Sequence, residues 1–174
     1  HKPSFIGNDE LESVSADFAS TIKGRELEDD AMVNFRMSSG IVGRLWTSSV
    51  AIGRQHGFDI QVFGEKAGLK WKSEHPNQLI YSKLGNRTEI IEKGENNLCA
   101  DALRLSRVTI AHPEGFPLAV ANIYVDIAAT LKGDKRANLP TASDGLRSMA
   151  AVYSATESAM NNGKWTDARP PMFR

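Results

Sequence analysis

The chain has 174 residues, 41% of them hydrophobic, with 21 acidic and 21 basic side chains. That length and apolar fraction suit one domain with a sizeable core. The charge balance argues against a nucleic-acid or anionic-membrane surface, which needs a basic excess. The single cysteine, Cys99, excludes an internal disulfide and any cysteine-based zinc site, and fits a reducing, cytoplasmic location.

The chain opens at His1 without a methionine, and "HKPSFIGNDE" has no apolar h-region. This start suggests a piece of a longer protein. "LESVSADFAST" and "AMVNFRM" then alternate with the period of a strand. In the second, Ala31, Val33, Phe35 and Met37 share one face, and Met32, Asn34 and Arg36 the other. "SSG" turns the chain into "IVGRLWTSSVA", a hairpin pattern. "FDIQVFG", a turn at "EKAG" and "LKWKSE" follow. "HPNQ" turns the chain into "LIYSKL", and "GN" leads to "RTEIIEK". "NLCADALRLSR" reads as a short helix or an irregular crossing, and "AHPEGFP" as a loop.

From Phe116 the period changes. Val120, Ile123, Tyr124, Ile127, Ala128 and Leu131 fall at helical spacing, and "KGDK" stops the helix. A second helix follows "LPTASD", with a stripe of Leu146, Met149, Ala150, Tyr153, Thr156 and Met160, and "NNG" ends it. Six or seven antiparallel strands thus precede two long helices. That order predicts an α+β fold, a large mostly antiparallel sheet with helices on one face and the other face solvated or partnered.

The stretch "AIGRQHGFDIQVFGEKAGLKW", residues 51–71, gathers three basic side chains beside four glycines. It is not a phosphate loop by pattern, because its glycines lie between strands with no helix behind them. No G-x-G-x-x-G and no G-x-x-x-x-G-K-[ST] occurs in the chain. "EKAG" reads as a hairpin tip. Arg54 and His56 alternate, so they share a face if the segment is extended. Arginine binds carboxylates, phosphates or sugar hydroxyls, and histidine titrates near neutral pH. Solvated strand-end side chains are the plain alternative.

His112 and Glu114 in "AHPEGF" form a second polar group, on a loop before a helix, where sites commonly sit. The acid equally suits a helix N terminus by its charge. Asp144 reads as a capping acid, His75 as a turn residue, and Cys99 beside leucine as a core thiol rather than a nucleophile. No H-x-x-x-H, H-E-x-x-H or G-x-S-x-G is present, so neither a metal site nor a hydrolase elbow is expected.

The order of "VSADF", "DDAMVNFRMSSGIVGRLWTSSVAIGRQHGFDIQVFGEKAGLKW", "HPNQL", "HPEGFPLAVANIYVDIAATLKG" and "PTASDGLRSMAAVYSATESAMNNGKW" resembles the C-terminal domain of the glucose-fructose oxidoreductase / inositol dehydrogenase / MocA family. The resemblance spans nearly the whole chain. It implies a dihydrodipicolinate-reductase-like C-terminal domain, residues 1–174, in a two-domain NAD- or NADP-dependent dehydrogenase. An N-terminal Rossmann domain binds the cofactor in that family. The C-terminal domain covers the nicotinamide and contacts a sugar, cyclitol or related polyol. Its open sheet face makes dimer or tetramer contacts.

The Rossmann glycine motif, the Glu-Lys-Pro motif and the Asp-x-x-x-His pair of the family are all missing here, since "EKA" at 65–67 lies in a turn. The chain alone is therefore expected to be inactive, with no catalytic residue and no cofactor site. By resemblance, Arg54 and His56 contact substrate, with His112 and Glu114 as further candidates. Strand alternation places Arg36, Arg44 and Trp46, joined by Gln61 or Phe63, on the face expected to contact another copy. The competing reading is a non-enzymatic assembly or binding module that works through the open sheet face.

Overall fold

The computed structural model describes residues 9–96, 98–134 and 139–171. The expectations placed on His1 and Lys135 fall outside these residues. The chain divides into two compact units of equal length, His1–Ile52 with Pro140–Arg174, and Gly53–Leu139. The fold is α+β with mostly antiparallel strands, and the strands form two four-stranded sheets.

In the first unit, β1 (Leu11–Ala19), β2 (Asp30–Met37) and β3 (Val42–Ser48) form an antiparallel meander. The sheet order is β3-β2-β1-β8, where β8 is the short strand Thr166–Asp167. The register sets Val14 opposite Phe35 and Ala16 opposite Val33, on one face. Val14 and Ala16 are buried with Ala155 and Ala168, and Phe18, Val33 and Phe35 pack around them. The alternation read from "AMVNFRM" therefore gives the core face of β2 correctly. Phe35 also fixes its neighbour, because a Cβ at Gly43, its partner on β3, would lie 2.0 Å from the ring. The strand needs a glycine there for close approach rather than for a special φ.

Helix α3 (Ala142–Met160) covers that face. Its N terminus carries the capping box foreseen at Asp144. Thr141 accepts from the Asp144 amide, and the Asp144 carboxylate accepts from Thr141. The buried face differs from the stripe read by periodicity. Ser154, Ala155 and Ser158 are buried, whereas Met149, Tyr153 and Met160 are exposed. The reason is close approach. Large side chains on β1 and β2 leave room only for small residues on the helix, and the serines bond across the contact. Ser158 accepts from the Ala16 amide at 2.9 Å and donates to the Lys164 carbonyl at 2.7 Å, and Ser154 donates to the Asp167 carbonyl at 2.9 Å. Arg147 adds a two-pronged bond to the Glu10 carboxylate.

The second unit holds β4 (Asp59–Phe63), β5 (Ala67–Lys72), β6 (Gln78–Lys83) and β7 (Thr88–Glu92), paired in chain order as an antiparallel meander. "NLCADALRLSR" resolves into a short helix, α1 (Ala100–Leu105). Helix α2 (Phe116–Leu131) starts and stops where the sequence indicated. Its stripe again fails to mark the buried face. Asp126 is the buried residue, held by Arg104 of α1 at 2.9 Å, while Ile123, Tyr124 and Leu131 are exposed. A paired carboxylate sets the helix phase here, a signal that hydrophobic periodicity cannot carry. Cys99 is exposed at the N-cap of α1, so the core expectation for it does not hold. Among the described residues no helix is long and apolar enough to cross a membrane.

Candidate functional site

Antiparallel pairing brings several loops to one end of the second sheet. Asp59 at the start of β4 pairs with Lys72 at the end of β5, and Gln78 at the start of β6 pairs with Glu92 at the end of β7. The segment 53–57 leads into that end, the turn 73–77 crosses it, and Lys93 leaves it. The loop before α2 joins them, because Asn77 bonds Glu114 in both directions. The Asn77 amide donates to the Glu114 carbonyl at 2.9 Å and its carbonyl accepts from the Glu114 amide at 3.0 Å. All of these residues belong to the second unit.

Arg54 and His56 are exposed, and the segment around them is not extended. Gly53, Gln55 and Gly57 all have left-handed φ values, 91°, 53° and 65°. The backbone coils through tight turns, so the shared strand face expected for the pair is replaced by a loop that presents both side chains to solvent. The loop is anchored from outside itself. The Glu74 carboxylate accepts from the Gly57 amide at 2.9 Å. That bond leads the causes that hold the Glu74 carboxyl below its usual range, with a smaller contribution from His56.

His112 lies in a similar setting. It is exposed, its Nδ1 sits 2.9 Å from the Thr109 hydroxyl, and it follows Ala111, whose φ is 68°. Non-glycine residues in this region carry a cost that persists only where the surroundings impose it, and such residues gather at functional sites. Among the described residues there are three, Gln55, Ala111 and Asn162. Asparagine tolerates the conformation, and the other two immediately precede His56 and His112.

Glu114 faces inward. Its carboxylate accepts from the Lys93 ammonium and from the backbone amides of Arg107 and Val108, both at 2.8 Å, and its side chain is 11% exposed. Burial pushes its carboxyl up, but the bonds from Lys93, Val108 and Arg107 outweigh this and hold it below the usual range. These bonds close the 107–115 loop around a buried charge. A shallow cleft of about 180 Å³ lies beside the pair, lined in part by Asn77, Lys93, Ser106, Glu114 and Asn122. Sequence reasoning missed Glu74, Asn77 and Lys93. "HPNQ" read only as a turn, and partners this far apart in sequence leave no local signal.

The expected contact face divides between the units. In the first, Arg44 lies opposite Asn34 and Trp46 opposite Met32, with Arg36 on the same face. Trp46 and Met32 are about half exposed, and the Trp46 indole donates to the Asp30 carboxylate. Arg36 stacks its guanidinium 4.0 Å from the centre of the Trp165 ring. In the second unit Gln61 and Phe63 share a face with Lys70 and Ile80, and Phe63 is 81% exposed. The opposite face, with Ile60, Val62, Leu69, Trp71, Leu79 and Tyr81, is the more apolar one, and the sequence reading did not single it out.

Neither long helix opens on a glycine-rich strand-to-helix turn. α2 follows the 107–115 loop and has Pro117 in its first turn, and the Asp144 amide of α3 engages the Thr141 side chain. Among the described residues no cluster of histidine, cysteine and carboxylate side chains is arranged to hold a metal.

The described residues thus form two antiparallel meander sheets and three helices, an α+β fold, with polar loops gathered at one end of the second sheet. Residues 5–167 match the family described as "Oxidoreductase family, C-terminal alpha/beta domain", and the chain belongs to this glucose-fructose oxidoreductase / inositol dehydrogenase / MocA family. It is 28% identical over 149 residues to the uncharacterized oxidoreductase YfiI of Bacillus subtilis, covering 81% of this chain and 38% of that protein. An oxidoreductase from Sinorhizobium meliloti superposes with a TM-score of 0.84 at 34% identity, over 92% of this chain and 47% of that one. An inositol dehydrogenase homologue from Azotobacter vinelandii, in complex with NADH and myo-inositol, superposes with a TM-score of 0.85 at 31% identity, over 92% of this chain and 45% of that one. The chain thus spans less than half the length of these relatives.

Proposed function

We propose that residues 1–174 act together as the substrate-binding and oligomerisation domain of an NAD- or NADP-dependent dehydrogenase of the cytoplasm, acting on a sugar, cyclitol or related polyol. The observation that carries this reading is the pairing of backbone strain with histidine at one sheet end, Gln55 before His56 and Ala111 before His112. Family membership and the myo-inositol complex of the Azotobacter homologue support the substrate class.

Arg54 donates to substrate hydroxyls or a carboxylate, and His56 and His112 add polar contacts that orient the ring. Glu114 serves from inside by shaping the loop that carries His112. The nicotinamide, bound by a preceding Rossmann domain, supplies hydride acceptance when present. The chain's own residues bind and orient the substrate. Isothermal titration of NAD and NADP into this chain alone should show no saturable heat. The full-length protein should reduce NAD or NADP with at least one member of a cyclitol and sugar panel. Saturable cofactor binding by the chain alone, or full-length protein inert to the whole panel, overturns the reading.

Assembly is assigned to two surfaces taken separately, the face of the first sheet bearing Arg36, Arg44 and Trp46 and the face of the second bearing Gln61 and Phe63. Aromatic and arginine side chains are the types that anchor interface centres. Sedimentation velocity should show a dimer or tetramer for the wild type and a shift toward monomer for Trp46→Ala. A wild type that stays monomeric at high concentration rejects the assignment.

A further inference from the structure

We propose that the β5–β6 turn, residues 73–77, is the positioning element of the candidate site, with Glu74 and Asn77 as its positioning residues. What the two loops hold rests on the function proposed above. That one turn sets both of them rests on the hydrogen bonds alone.

Loops without regular structure pay a conformational cost to present side chains in one geometry, and a rigid neighbour removes part of it. Here a single turn faces both loops. Glu74 reaches one way and takes the Gly57 amide, which fixes the exit of the loop carrying Arg54 and His56. Asn77 reaches the other way and binds both backbone groups of Glu114, two residues after His112. The Asn77 backbone carbonyl accepts from the Lys93 backbone amide at 2.8 Å, and the Lys93 side chain meets the Glu114 carboxylate and the Val108 carbonyl. The second loop is therefore gripped at its backbone and at its buried charge.

The turn itself is stiff. The Ser73 backbone amide donates to the Phe58 carbonyl at 2.9 Å and the His75 backbone amide to the Lys72 carbonyl at 3.1 Å. Gln78 donates to the His75 carbonyl at 3.1 Å, and the Trp71 indole to the Pro76 carbonyl at 3.1 Å. Phe58 packs edge-on against Trp71, with ring centres 5.9 Å apart, so the entry to β4 is braced by the strand that leads into the turn. Glu74 and Asn77 sit three residues apart on this frame. Moving the turn moves both loops, and losing either side chain frees one of them.

The test uses the full-length protein with NAD and myo-inositol as probes, and compares Glu74→Ala, Glu74→Gln and Asn77→Asp. Glutamine keeps the acceptor for Gly57. Aspartate keeps the shape of Asn77 but removes its donor. Hydrogen exchange should quicken about 5-fold at 53–57 in Glu74→Ala and at 107–115 in Asn77→Asp, with α3 and β1 unchanged. The KM for myo-inositol should rise about 3- to 10-fold in both, with kcat and the KM for NAD within about 2-fold of wild type. Glu74→Gln should restore wild-type exchange and KM. Unchanged exchange in both loops, or quickening spread through α3 and β1, overturns the proposal. So does loosening of the loops without any change in the KM of an active enzyme. A wild type that oxidises no cyclitol or sugar defeats the proposed function instead, and the exchange measurements then decide the positioning role by themselves.

Discussion

The two units use the same elements, an antiparallel meander and a helix, to opposite ends. The first spends most of its buried polar groups on closure, Asp29 excepted. Buried Ser154 and Ser158 tie α3 to the strands, Arg147 grips Glu10, and Thr141 and Asp144 seal the helix start. The second spends them on loop shape, with Glu74, Asn77, Lys93 and Glu114 all bonded to irregular backbone. The lesson is that a hydrogen bond stabilises packing when its partner is a regular element, and pre-organises a surface when its partner is a loop.

That contrast predicts where substitutions will register. The largest effect belongs to Ser158→Val. It strands the Ala16 amide, leaves the Lys164 carbonyl only the Thr166 hydroxyl, and forces a branched side chain into a fully buried place. The expected loss is about 3 kcal/mol of unfolding free energy in urea titration, with no change in the substrate KM of whatever folds. A loss below about 1 kcal/mol would mean that α3 stands off the sheet.

Gly43→Ala comes next. Its methyl meets the Phe35 ring, and the expected cost is about 2 kcal/mol, read as a lowered Tm. Combining it with Phe35→Leu should recover part of that cost, and failure to recover any would place the strain elsewhere.

Substitution in the second unit should behave in the opposite way. Arg54→Ala and His56→Ala remove exposed loop side chains. In the full-length protein they should leave Tm nearly unchanged and, on the proposed function, raise the substrate KM about 3- to 10-fold. If both keep wild-type kcat/KM, the loop is solvated surface and the contrast between the units loses its functional half.

The smallest effect is one the units share. Asp29 in the first accepts from the Thr21 amide, the Thr21 hydroxyl and the Ile22 amide, much as Glu114 does in the second. The Thr21 amide is foremost in holding the Asp29 carboxyl below its usual range, and Glu114 is lowered as well. A lowered folded pKa stabilises above the unfolded value, and that stability is lost as pH falls through the folded value. Amide protection at Thr21, Ile22, Arg107 and Val108, corrected for intrinsic exchange, should therefore persist down to the ordinary carboxylate range of about 4 and fade below it. Protection lost well above that range would show that these carboxylates do not close the loops.

The sequence by itself determined the strands of both meanders, the limits of α2, the end of α3, the capping acid Asp144, and the core face of β2. Each rests on local periodicity or on a residue whose partner is three or four positions away. Family membership was legible for a related reason, the order and spacing of several short segments. Tertiary structure alone decided the rest. It split the strands into two sheets and added β8, whose two residues pair with β1 from the far end of the chain. It turned the small, hydroxyl-bearing face of α3 inward instead of the Met149–Tyr153 stripe, because the volume opposite is set by Phe35 and Val33 from another element. It also coiled "GRQHG" out of the strand and gathered Glu74, Asn77, Lys93 and Glu114 at one sheet end. The bonds that join these segments, Glu74 to Gly57, Lys93 to Glu114 and Asn77 to Glu114, span 17, 21 and 37 positions, and a contact at that separation is written in no local pattern.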